Sequence, residues 1–417
     1  MGVIAEIRKT CRICGFADLE SVLDFGSISL TGVFEIIDVA VPTAEMHLGR
    51  CVKCGLVQLL HTYNQEYLYG ASYGYESHLN SAMAQHLKSK AASLESRFFA
   101  KTPSDKQIVA VDIASNDGTL LAGYSESIVK VGIDPLINIV DDCYPSDATK
   151  INEFFTSESY FNVYSEKADL VTSLSVIYDL DDPISFAKGV FDILKDGGIW
   201  HLEQSYLPSM CSTLSYDTIC HEHLLYLSLH DIRTILDRTG FQILDVSLND
   251  VNGGSIAVTA IKGSSKIDSD PFVEFLLAKE IKEGYQESTA LAAFASRARL
   301  HKAEIAVLIK AYREKNYKIY ALGASTKGNV LLQWAGLTSN QIEAVGDINP
   351  KKYGKRTPGT DIPIISESEI IGLADPKTIV LVLPWHFRSG IIRNCRAILD
   401  KGAKFLLPLP SIEIVSS

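Results

Sequence analysis

From Gln107 onward the apolar residues fall into short runs separated by stretches of helical spacing. Ile108 to Ile113 is one such run, and Val129–Ile133, Ala168–Val176 and Gly198–Glu203 follow it with helical segments between. Strands alternating with helices predict a mostly parallel sheet covered on both faces. Phe241 to Ile261 reads as a hairpin broken at Asn252-Gly253-Gly254. Ahead of it one helix is well signalled: Ser228 suits the N-cap with Asp231 three residues on, Ile232, Ile235 and Leu236 share a face, and Gly240 stops it. After a helix-rich stretch from Pro271 to Lys315 the alternation restarts with Lys318–Leu322, Ile342–Val345 and Ile379–Leu383, which predicts a second doubly wound unit.

At 417 residues the chain is long for one hydrophobic core, so two or three domains are expected. A net charge of -11 without any run of lysine or arginine argues against a protein that lives on a nucleic-acid backbone. The opening MGVIAEIRKTC lacks the apolar core of a signal peptide, and no run of about eighteen apolar residues occurs, so a cytoplasmic protein without a membrane span is expected. Of eight cysteines, four form two spaced pairs, Cys11-Arg-Ile-Cys14 and Cys51-Val-Lys-Cys54, each followed by glycine. In a reducing compartment such pairs are metal ligands before they are disulfides, and four thiolates suit one tetrahedral zinc ion. The 36 residues between the pairs exceed a minimal finger and are expected to carry strands of their own. The set offers no open position and no base, so the zinc is read as structural. Cys143, Cys211, Cys220 and Cys395 are read as free thiols.

The loop after the first apolar strand, Asp112-Ile-Ala114-Ser-Asn116-Asp117-Gly118, is poor in glycine and rich in acids, and the next strand ends at Asp134-Pro135. That differs from the glycine-rich cradle of a pyrophosphate and suits a cofactor with a ribose but no phosphate. S-adenosylmethionine (SAM) is such a cofactor. Asp134 would take the ribose hydroxyls, while Asp112, Asn116 and Gly118 shape the loop around the methionine half. Ala114, Asp117, Pro135 and Ser173 are further candidate contacts at the strand ends.

The candidate general base lies in Ser215–Ser228, where His221, Glu222 and His223 stand in a row. Histidine titrates near neutral pH, and a neighbouring carboxylate can fix its tautomer. Upstream, the tyrosines between Tyr67 and His78 include Tyr73 and Tyr75, whose phenols suit hydrogen bonding to a ligand oxygen. In the second doubly wound unit, Gly323-Ala-Ser-Thr-Lys327-Gly-Asn329 suits a phosphate at a helix N-terminus. Lys351, Lys352, Lys355 and Arg356 form the densest positive group of the chain and suit a diphosphate.

With these residues assembled, the chain resembles the nucleotide-sugar C-methyltransferases that make branched deoxysugars. The resemblance runs from end to end: the paired knuckles with CGLVQL after the second, YGYES, ASNDGTLL, GIDP, DGGIWHLEQSY, CHEHLLY, NGGS and GASTKGN. It implies an α/β chain with a small zinc-binding domain over residues 1–70, a class I SAM methyltransferase core over 71–283 and a second Rossmann-like, sugar-nucleotide-binding domain over 284–417. It also implies His223 as base with Glu222 beside it, the tyrosine region at Tyr73 and Tyr75, and Asp134 at the ribose. Cys220 stands where characterised relatives have tyrosine, and Asp179 near the position of a histidine, so both are candidate site residues that alter the groups around the sugar. Asn252, Lys327, Asn329, Asp347, Lys351 and His386 are the remaining candidates for the nucleotide-linked keto sugar. The expected chemistry is methyl transfer to the carbon beside a 4-keto group, C3 of the sugar, by a monomer or small homo-oligomer without nucleic-acid or membrane partners. The rival readings are methyl transfer to oxygen or nitrogen, and a nucleic-acid-binding zinc protein.

Overall fold

The computed structural model describes residues 4–37, 39–69, 75–99, 106–137, 143–263 and 268–416. Ile108–Ile113 is buried at every position because it lies inside a seven-stranded sheet with a parallel neighbour on each side. Numbered along the chain, the strands of that sheet stand in the order 6-7-5-4-1-2-3. The first five, from Ile108–Ile113 to Leu194–Ser205, run parallel; Ser255–Lys262 is antiparallel to both of its neighbours, Leu194–Ser205 and Phe241–Asn249. The hairpin expected from Phe241 to Ile261 is thus present. Its turn holds Asn252, Gly253 and Gly254 at φ of 55°, 91° and 123°, which explains the run of asparagine and glycines.

A second sheet has six strands in the order 3-2-1-4-5-6, parallel except for its last strand, Glu413–Val415. In both sheets the first strand lies between the second and the fourth, and connections leave it in opposite directions. The crevice at the carboxyl end of such a strand is where doubly wound sheets hold ligands.

The residues between the cysteine pairs form Leu19–Ser29 and Thr43–Cys51, antiparallel to one another. Val57–Leu59 extends that sheet, and Leu225–Tyr226 closes its other edge. The two residues that complete the cysteine-region sheet therefore come from just beyond His223. The helix Leu229–Thr239 follows at once. Its cap is reciprocal: Ser228 Oγ accepts from the Asp231 backbone N–H at 3.2 Å, while the Asp231 carboxylate accepts from the Ser228 N–H at 2.9 Å. Ile232, Ile235 and Leu236 are buried, and Gly240 ends the helix in the left-handed conformation. Among the described residues no helix is long and apolar enough to cross a membrane.

Candidate active site

One cavity of about 550 Å3 joins the two crevices, within the range of roughly 300–1,000 Å3 usual for small-molecule sites. Its first wall is the strand-end loop of the seven-stranded sheet. Asp112, Ala114, Asn116, Asp134 and Pro135 all line it. The loop is tightly wound, with Ala114, Asn116 and Gly118 at positive φ. Asp134 holds its shape by accepting the Asn116 N–H at 3.0 Å and the Leu136 N–H at 2.7 Å. Asp112 accepts from Thr172 Oγ1 at 2.6 Å, and burial pushes its carboxyl up to about 7. Burial raises Asp134 as well.

Other expected residues of this loop lie behind the wall. Asp117 is fully buried and accepts from the His78 backbone at 2.8 Å, with His78 Nδ1 at 2.9 Å, so it fastens the segment after Tyr75. Asn116 does the same from the front: its Oδ1 accepts the Ser77 N–H at 3.0 Å and its Nδ2 donates to the Tyr75 carbonyl at 3.1 Å. A side chain at Gly118 would collide with Tyr144, 2.6 Å from an added Cβ. Ser173 points to the opposite face of its strand and accepts from Trp200 Nε1 at 2.9 Å. Its neighbours Leu174, Ser175 and Val176 line the cavity instead. Tyr75 sits exposed at the rim, whereas Tyr73 falls outside the described residues.

The His221-Glu222-His223 row lies in a turn that parts its side chains. His221 is fully buried, edge-on to the Tyr63 ring with centroids 4.9 Å apart, and burial holds it near 4. Glu222 and His223 face the cavity. The expectation that Glu222 orients His223 gives way here: His223 Nδ1 lies 2.8 Å from the Thr218 carbonyl, which accepts its proton. The carbonyl fixes the tautomer, so Nε2 carries the lone pair. Burial, with the Lys327 ammonium adding to it, holds the imidazole down at about 3, and it is neutral at ordinary pH. Its ring packs on Tyr178, centroids 4.2 Å apart.

Glu222 instead belongs with Asp179. Burial raises both carboxyls, and the Glu222 charge adds to burial at Asp179, which is pushed well above the carboxylate range. Thr31 Oγ1 donates to Glu222 Oε2 at 3.4 Å. Gly32 leaves the space that Glu222 occupies, since a Cβ there would sit 2.3 Å from Oε1. Cys220 is fully buried behind this pair and does not reach the cavity surface.

The opposite wall comes from the six-stranded sheet. Ser325, Thr326 and Lys327 open the helix Thr326–Ala335, capped by Ser325, and line the cavity with Asn252, His386 and Lys352. Lys327 Nζ donates to the Asn252 carbonyl at 2.7 Å, and Lys352 Nζ to the Ala324 carbonyl at 2.7 Å. Burial lowers Lys327 and sends His386 well below its ordinary value. Three expected residues are elsewhere. Asn329 is buried with Nδ2 donating to the Thr31 carbonyl at 2.7 Å, Asp347 accepts the Asn349 N–H at 2.8 Å, and Lys351 pairs with Glu76 at 2.8 Å. Sequence reasoning missed Thr31, Gly32 and the Thr218 carbonyl, and no pattern in the chain marks them.

The cysteine knuckles converge as their spacing requires. All four sulfurs lie within 4.8 Å of one another, with Cys11–Cys54 at 3.5 Å and Cys14–Cys51 at 3.6 Å. A tetrahedron with zinc–sulfur bonds of about 2.3 Å has edges of about 3.8 Å, so the set fits zinc. Gly15 and Gly55, at φ of 72° and 84°, turn the chain behind each pair.

Three family models match in order along the chain: a putative zinc binding domain at residues 11–69, a methyltransferase domain at 83–246 and a C-methyltransferase C-terminal domain at 250–410. The C-methyltransferase NovU of Streptomyces niveus is 29% identical over 413 residues, covering 98% of this chain and 97% of that one. Among solved structures, the plantazolicin methyltransferase BpumL with SAH is 16% identical, covers 43% of this chain and 84% of its own, and has a TM-score of 0.34. Magnesium protoporphyrin IX methyltransferase from Synechocystis PCC 6803 with SAH is 14% identical, covers 44% and 84%, and has a TM-score of 0.32. With the three models together spanning nearly the whole chain and a relative aligned along its full length, the protein is a SAM-dependent methyltransferase that is similar along its whole length to a C-methyltransferase and carries a cysteine set that fits zinc.

Proposed function

We propose that the protein methylates the carbon beside the keto group of a nucleotide-linked 4-keto-deoxysugar, with His223 as the base. The observation that carries this reading is the fixed tautomer of His223: a neutral imidazole, its Nδ1 proton committed to Thr218, in the wall of a cavity with acids at one end and cations at the other. Such a group can accept a proton but has none to give at the start of turnover. A ketone acidifies the hydrogen on the adjacent carbon, and Nε2 takes it. Negative charge then develops on the ketone oxygen. Asp179, pushed well above the carboxylate range by burial and by the Glu222 charge beside it, is suited to donate a hydrogen bond to that oxygen, and the Tyr75 phenol can reach in from the rim.

SAM supplies an electrophilic methyl group when bound, and the loop Asp112–Asn116 with Asp134 is the cradle that fits it. Lys327, Lys352 and the N-terminus of Thr326–Ala335 suit the phosphates of the nucleotide. Holding both reactants in one cavity offsets on the order of 7 kcal/mol of the barrier. The test is a screen of 4-keto nucleotide sugars with methyl-labelled SAM, followed by locating the new bond. A label on ring carbon beside the ketone supports the reading; a label on oxygen or nitrogen overturns it.

A further inference from the structure

Besides the Thr31 and Gly32 contacts with Glu222, the zinc region reaches the active-site wall through a network centred on one buried arginine. Arg12 lies between the cysteines of the first knuckle, and its side chain has no exposed surface. Its guanidinium donates to the Leu59 carbonyl at 2.6 Å, the His61 carbonyl at 2.9 Å, Thr62 Oγ1 at 2.7 Å and Asp181 Oδ1 at 3.0 Å. Thr62 Oγ1 also donates to Asp181 Oδ1 at 2.7 Å, and Arg8 Nη1 to Asp181 Oδ2 at 2.8 Å. The Asp181 carboxylate is thus gripped by Arg8, Arg12 and Thr62, all from the cysteine-bearing region. Asp181 ends the short segment that places Tyr178 against the His223 ring and puts Asp179 and Leu180 in the cavity wall. An isolated staple would have no reason to seize this loop. We propose that the Arg12–Asp181 pair is a positioning device through which the zinc knuckle registers the Tyr178–Asp179 wall against His223.

The test compares D181N and T62V with the wild-type protein. Each weakens the grip without adding bulk, and T62V leaves the Arg12 charge paired. Zinc content is read by chelator release, SAM binding by calorimetry, and the loop by hydrogen–deuterium exchange of residues 177–182. Turnover is followed against pH on a 4-keto-6-deoxy nucleotide sugar. The expected result is retained zinc and SAM binding, faster exchange confined to the loop, a kcat lowered about tenfold or more, and a displaced pH profile, with D181N the stronger variant. Unchanged exchange and turnover would overturn the proposal. So would loss of zinc with global unfolding in both variants, which would make the network a fold staple alone. The turnover arm rests on the keto-sugar reading and the exchange arm does not. Faster loop exchange with zinc retained, beside a wild-type protein inert on every such sugar, would support the positioning role and sink the substrate.

Discussion

The two ends of the cavity are built by the same device and carry opposite kinds of ionisable group. Each is the crevice beside the first strand of a doubly wound sheet, and each uses a loop that leads out of that strand. At the end formed by Ile108–Ile113 the strand itself presents Asp112 and the end of the neighbouring strand presents Asp134, two buried carboxyl groups with raised proton affinity. At the end formed by Lys318–Leu322 the loop presents a helix N-terminus with Lys327, and Lys352 stands close by. Topology thus sets where ligands go, and the loop residues set which ones. The acidic end suits hydroxyls and a sulfonium, whereas the basic end suits phosphates. His223 stands in the same cavity on a segment owned by neither sheet.

The largest expected effect tests that intermediate position. His223→Asn is smaller but keeps an N–H donor for the Thr218 carbonyl while removing the base, and turnover should fall roughly a hundredfold to ten-thousandfold in protein that still binds SAM. Lys327→Ala, at the basic end, should raise KM for the proposed nucleotide-linked substrate about tenfold to a hundredfold, with SAM affinity nearly unchanged. An equal loss of SAM affinity would break the division between the ends.

Gly32→Ala acts between them. The added Cβ would meet Glu222 Oε1 at 2.3 Å, and a carboxyl at the end of a flexible side chain moves more easily than backbone. A severalfold loss of kcat with only a small change in thermal midpoint is expected from paired kinetics and melting curves.

The smallest effect concerns Asp112 and stability. The folded protein keeps its proton up to about pH 7, while the unfolded chain releases it near 3.8, so stability falls as pH rises through that window. Asp112→Asn should therefore raise the thermal midpoint at pH 8, corresponding to up to roughly 4 kcal/mol of stability, and change little at pH 4. An equal shift at both pH values would show that ionisation is not the cause.

What the chain reveals of itself follows from the range of each interaction. Strands such as Ile108–Ile113 and the capped helix Leu229–Thr239 are legible because their causes are local: an apolar run, a serine with an acid three residues on, a glycine. Thr149–Ile151 and Ile364–Ser366 are too short to show a period and exist only through pairing in the sheet. The candidate site divides in the same way. The four cysteines, Asp134, His223 and Lys327 announce themselves by type and spacing. Thr218 serves through a backbone carbonyl, Gly32 through the room it leaves, and Thr31 through a contact across 191 positions of sequence. Ser173 and Asn329 have suitable types, yet strand alternation and helix packing turn them toward Trp200 and Thr31.

The most direct measurement leaves SAM out. The protein and a 4-keto nucleotide sugar are mixed in deuterium oxide, and the carbon beside the ketone is followed by NMR. Proton removal by a base in place before the methyl donor should wash deuterium into that carbon with the wild-type protein and not with His223→Asn. Exchange at the same rate in both proteins would contradict the account.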